Sequence, residues 1–193
     1  MAVPILRTWV PGDMATHGML NDNIREPVEF QRDRPWCFMS RSSNQSIGNN
    51  AWAAVDWTST IVDNDNMHAG GTTQEFTIQT AGCYELKAQA TFAGNLTGRR
   101  ALRWDKVTMP GTVYVGTHTA SGTNSSCTIP DGGAFTGNTV NTALEVSTYR
   151  VFSPGEVLRV AVWQNSGGAL DLWGDMTNSN IWSWASVRWI ASS

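Results

Sequence analysis

TQEFTIQTAGCYELKAQATF, residues 73–92, sets the period of the whole chain. Read as extended backbone, its second half places Tyr84, Leu86, Ala88, Ala90 and Phe92 on one face. Cys83, Glu85, Lys87, Gln89 and Thr91 fall on the other. A strand with one apolar and one polar face covers the core of an antiparallel sandwich. Ala81-Gly82 reads as the turn that separates this long strand from a shorter one ending near Gln79.

The same period of two runs outward from there. Leu102 and Trp104 are in phase in RRALRWDKV, and GTVYVGTH follows Pro110-Gly111 as a short strand. ALEVSTYRVF and EVLRVAVWQ flank Ser153-Pro154-Gly155, which predicts a hairpin. Strands at roughly ten-residue spacing with turn signals between them predict an all-β, antiparallel sandwich. The last segment, IWSWASVRWI (residues 181–190), departs from the one-wet-face rule. Ala185, Val187 and Trp189 share one face, while Trp182, Trp184, Arg188 and Ile190 share the other, so both faces are largely dry. The first set should fill the sandwich, which leaves the second in need of a cover.

Only residues 1–35 break the period. Leu20, Ile24 and Val28 recur every four residues, which predicts a short helix over about 14–25 and a further turn or two, capped by Asp13 or Thr16 and broken or kinked at Pro27. One such stripe cannot form a core alone. The expected organisation is therefore a helical docking segment over 1–35 and a β-sandwich head over 36–193.

Charged residues are 15% of the 193 and the net charge is −3, which argues against a nucleic-acid partner, since phosphate binding needs a basic surplus. No run approaches the ~18 apolar residues of a membrane helix, and MAVPILRTWVPGD lacks the apolar stretch of a secretory signal, so a soluble chain made in a cytoplasm is expected. Cys37, Cys83 and Cys127 are widely spaced, form no CxxC pair, and read as small buried thiols.

The sequence holds little catalytic chemistry. His17, His68 and His118 lie in separate segments, with no GxSxG, HExxH or phosphate-cradling glycine loop, so no enzyme activity and no cofactor are expected. Asp63 and Asp65 have the opening spacing of a calcium loop, but Met67 and Gln74 stand where further ligands belong. A solvated turn is the simpler reading, both there and around Asp131, and no metal is assigned. Trp52, Trp57 and Trp173 read either as core or interface side chains or as sugar-stacking platforms, because an indole face suits the apolar side of a sugar ring.

Two resemblances add to this reading. Gly82-Cys83-Tyr84-Glu85-Leu86 is similar to the G-x-Y-x-F motif that opens a strand in complement-type globular heads and tumour-necrosis-factor-like jelly rolls. Pro154-Gly155-Glu156, Gln164-Asn165-Ser166-Gly167 and the strand WSWASVRWI continue the likeness over about residues 36–190, although the final strand lacks the usual Phe-x-Gly. The resemblance implies a jelly roll and a homotrimer whose inner sheet faces the threefold axis. Glu85, Lys87, Gln89, Trp182, Trp184, Arg188 and Ile190 would then form the subunit interface, with Glu85 paired to Lys87 or Arg188.

Arg7-Thr8-Trp9-Val10, Leu20-Asn21 and Ile24-Arg25-Glu26-Pro27 resemble the N-terminal string of small virion proteins of tailed phages of actinobacteria. That likeness implies docking on other virion proteins through Trp9, Leu20, Ile24 and Val28. It also implies a place on the virion as a minor tail protein, with loops 63–73, 118–138 and 165–180 presented to host-envelope glycan. The alternatives are a capsid decoration protein clamping capsomers as a trimer, which the small size and missing fibre shaft favour, and, more remotely, a carbohydrate-active enzyme or soluble lectin.

Overall fold

The computed structural model describes residue 4 and residues 7–68, 73–107, 113–120, 141–174 and 182–192, with 113–120 and 142 described by their backbone alone. Two antiparallel sheets face each other. The first carries β1 (Trp36–Ser40), β2 (Gln45–Ile47), β4 (Ser59–Asp63), β6 (Gly82–Phe92), β9 (Thr142–Phe152), β11 (Leu170–Leu172) and β12 (Trp184–Ala191). The second carries β3 (Ala51–Ala54), β5 (Glu75–Thr77), β7 (Arg100–Lys106), β8 (Val113–Ala120) and β10 (Val157–Gln164). This is the predicted jelly-roll sandwich.

The core is the inward alternation of both sheets. Tyr84, Leu86, Ala88, Ala90 and Phe92 of β6 are buried, as are Ala185, Val187 and Trp189 of β12, and they meet Leu102, Trp104, Leu158, Val160 and Val162 from the second sheet. Gly82 fixes where β6 begins. Its φ is +154°, and a Cβ there would collide with Trp189 Nε1 and lie 2.7 Å from the Ala191 carbonyl oxygen. Trp189 Nε1 instead donates to the Ala81 carbonyl at 3.1 Å. Gly82→Ala is expected to cost about 2–3 kcal/mol through backbone strain and overpacking, read as a lowered urea midpoint.

The predicted hairpin around Ser153-Pro154-Gly155 does not form. β9 pairs along its whole length with β6 in the first sheet, whereas β10 lies in the second, between β7 on one side and β3 and β5 on the other. The turn bonds instead to the end of β5, with Ile78 N donating to Glu156 O and Gly155 N to Ile78 O. Both edges of β10 are taken, so the short turn carries the chain from one sheet to the other.

The helical segment starts three residues later than predicted and ends within the further turn or two expected. It runs as α1 (His17–Leu20), a π turn (Asn21–Arg25) and α2 (Glu26–Arg32). Thr16 is the cap, accepting from Met19 N at 3.3 Å, while Asp13 braces the preceding turn by accepting from Val10 N at 3.2 Å. Pro27 does not break the helix. It has no N–H to give to the Asn23 carbonyl, and the widened π turn just before it, closed by Glu26 N to Asn21 O, lets the chain continue. Phe30 is the segment's buried side chain, set edge-on to Trp189 at 5.0 Å. No described helix is long and apolar enough to cross a membrane.

Candidate functional site

β4, β1, β12, β6 and β9 lie side by side, and the face they turn away from the core has no covering layer among the described residues. The ladders set its composition. β1 pairs Trp36 with Arg188 and Phe38 with Ser186. β12 pairs Trp184 with Gln89, Ser186 with Lys87 and Arg188 with Glu85. β6 in turn pairs Glu85 with Tyr149 and Cys83 with Val151. Period-two backbone puts all of these side chains on the same side.

One half of this face is aromatic. Phe38 stands at its centre, 6.2 Å from Trp36 in a stacked arrangement, with Trp182 and Trp184 edge-on at 6.1 and 5.8 Å. Trp36 Nε1 donates to Ser186 Oγ at 3.1 Å. The other half is a charged strip. Glu85 Oε1 accepts from Lys87 Nζ at 2.8 Å and from the Tyr149 hydroxyl at 2.8 Å, with Arg188 opposite in the ladder. Lys87 holds the Glu85 carboxyl below its ordinary range, against the opposing effect of burial, and Tyr149 and Arg188 add to the depression. Glu85 in return raises the Lys87 ammonium and the Tyr149 hydroxyl.

A carboxyl depressed in this way binds a proton less readily folded than unfolded. Its contribution to stability is full above the unfolded value and fades as pH falls through the folded one. Acid titration of the denaturation midpoint should therefore show a fall in the carboxylate range that is shallower in Glu85→Gln.

The structure thus gathers Glu85, Lys87, Gln89, Trp182, Trp184 and Arg188 on one face. The Glu85–Lys87 pair closes within a single chain. Gln89 Nε2 donates to the Trp182 carbonyl at 3.1 Å. Ile190 sits in a bulge, where the β12 register slips between Trp189 and Ala191. Sequence reasoning missed Trp36, Phe38, Tyr149 and Val151. Their signal was the same alternation in WCFMS and STYRV, readable only once β1 and β9 are known to flank β12 and β6.

The other candidates part company. Trp9, Leu20, Ile24 and Val28 are all exposed, at 41–62%. Trp57 is 1% exposed, packed at 6.3 Å against Phe76, so it offers no face to a sugar. Trp173 is half-buried, held by Trp173 N donating to the Thr91 carbonyl at 2.7 Å. Trp52 is 42% exposed on the second sheet.

Asp63 accepts from the backbone of Met67 and His68 at 2.8 and 2.9 Å, and Asp65 is buried, accepting from Thr80 Oγ1 at 2.8 Å. Both carboxylates brace a turn, and no His, Cys, Asp and Glu cluster of metal-binding form occurs among the described residues. Asp131, Cys127 and most of the predicted loop 118–138 lie outside the described residues. Within the predicted loop 165–180, residues 170–172 form β11 against β2, with Leu170 and Leu172 buried. Cys37 is buried and burial pushes its thiol up, whereas Cys83 is half-buried.

No protein-family model and no curated protein sequence matches this chain. Solved structures do. An Eiger TNF from S. frugiperda aligns over 82% of this chain and 94% of its own, with a TM-score of 0.54 at 12% identity. The globular domain of zebrafish complement 1qA aligns over 83% and 100%, at 0.52 and 15% identity, and murine APRIL over 79% and 97%, at 0.51 and 9%. At these identities the likeness is one of fold, and that fold is the jelly roll of TNF-like and complement globular-head domains.

Proposed function

We propose that this chain is a non-enzymatic structural protein of a phage virion, a minor tail protein whose jelly-roll heads associate as a homotrimer for attachment to the host surface. The observation that carries the reading is the uncovered face of the first sheet. Phe38 and the three tryptophan rings around it lie beside a charged strip that is already paired within the chain. A contiguous aromatic surface of this kind is unusual on a monomer, and aromatic side chains are what interface centres use. The implied trimer brings this sheet to the threefold axis.

The virion part rests on the N-terminal resemblance and on the exposed stripe of Leu20, Ile24 and Val28, which the head leaves uncovered for a neighbouring protein. Copy number on purified virions tests it. A handful of trimers per particle supports the tail role, hundreds support capsid decoration instead, and absence from the particle overturns both.

A further inference from the structure

The second sheet has a recess of its own. Outward side chains of β3, β7 and β10 border an open recess of about 360 Å³. Ala54 and Ala161, opposite each other in the ladder, form its floor, and their small size leaves the space open. Trp52 forms one wall, with the Arg103 guanidinium 3.6 Å from its ring centroid. Asp105 holds that guanidinium, Nε to Oδ1 at 2.7 Å, and Arg159 Nε approaches the same carboxylate at 3.5 Å. The Asp105 side chain is fully buried and that of Arg103 only 10% exposed, although both point to the sheet's outer side. Buried ion pairs of this kind add little net stability over apolar side chains. They fix the orientation of Trp52 and of Arg159, the more open of the two arginines.

Three properties define an occupant. The volume is at the lower end of the roughly 300–1,000 Å³ of small-ligand sites, which suits a single ring. The accessible polar walls are the Arg159 guanidinium and the Gln74 amide, so the ring must carry hydroxyl groups. Arg103 and Arg159 are offset by Asp105 and by Glu75, which stands directly across the ladder from Arg159, so no net charge is called for. Arg103 covers one face of the indole, and the 42% exposure of Trp52 leaves the other as an apolar platform for the C–H face of such a ring.

We propose that this recess binds one neutral pyranose of a glycan, stacked on Trp52 with its hydroxyl groups toward Arg159 and Gln74. The virion reading bears only on where the glycan comes from: sugar binding is measured on the purified chain, whereas that reading stands or falls on particle composition.

The test is a titration of the full chain with methyl glycosides of glucose, galactose, mannose and N-acetylglucosamine, and with methyl glucuronide, followed through the tryptophan indole N–H signals and, in every variant, the backbone amide signals of β3 and β10. At least one neutral glycoside should shift the Trp52 signal and saturate at about 1–10 mM. Arg159→Gln should weaken that binding by about tenfold and Trp52→Ala should abolish it, while Trp52→Phe and Trp36→Ala retain it. Amide spectra matching the unaltered protein away from β3 and β10 show that each variant is folded. The proposal is overturned by no response up to about 100 mM, by saturation that survives both Trp52→Ala and Arg159→Gln, or by tighter binding of the glucuronide than of every neutral sugar.

Discussion

Phe38→Asp should convert the assembled protein into folded monomers. Phe38 is the ring that Trp36, Trp182 and Trp184 surround, so it occupies the centre of the uncovered face, where interface energy concentrates. Truncating such an anchor typically costs about 2–4 kcal/mol, and a carboxylate adds the desolvation of an unpaired charge. A loss of that size weakens association by at least about thirtyfold per contact. The monomer itself should survive, because Phe38 points away from the core while its neighbours Cys37 and Met39 are buried. Sedimentation velocity should show the change in mass, with an unchanged far-ultraviolet circular dichroism spectrum. An assembly that persists in Phe38→Asp would place the interface elsewhere.

Asp105→Ala should destabilise the head by about 3–5 kcal/mol, the cost of leaving a buried charge without its partner. Asp105 is fully buried and holds Arg103 at 2.7 Å, with Arg159 at 3.5 Å, so the substitution strands one largely buried guanidinium and weakens the hold on a second. For a chain of this length the melting temperature should fall by about 6–20 °C. Replacing the pair together, as Arg103→Met with Asp105→Leu, should restore much of the loss, since apolar side chains of similar volume replace buried ion pairs at little cost. A loss below about 1 kcal/mol in Asp105→Ala would show that water reaches the site and screens it.

The two faces of β6 and β12 were legible in the sequence because period-two alternation is a local property. Tyr84 through Phe92 and Ala185, Val187 and Trp189 are buried as their spacing requires. What escaped depends on partners chosen at a distance. Ser153-Pro154-Gly155 is a genuine turn, but whether it closes a hairpin depends on which edges are free, and β10 has both of its edges occupied. Pro27 reads locally as a break, yet a π turn one step earlier absorbs it.

Trp57 and Trp52 are five residues apart and equally tryptophan, but one is core and the other surface, which composition cannot tell. The interface candidates were half legible. The β6 and β12 members followed from alternation, whereas Trp36, Phe38 and Tyr149 join them only through ladder pairings between residues far apart in the chain.

On the proposed reading, copies of the same chain cover the aromatic face of the first sheet. Sedimentation equilibrium of the unaltered protein measures this most directly. A homotrimer gives a single species of three times the 21.1 kDa chain mass, concentration-independent in the micromolar range. A single 21.1 kDa species, with Trp36, Trp182 and Trp184 open to an aqueous fluorescence quencher, would contradict it.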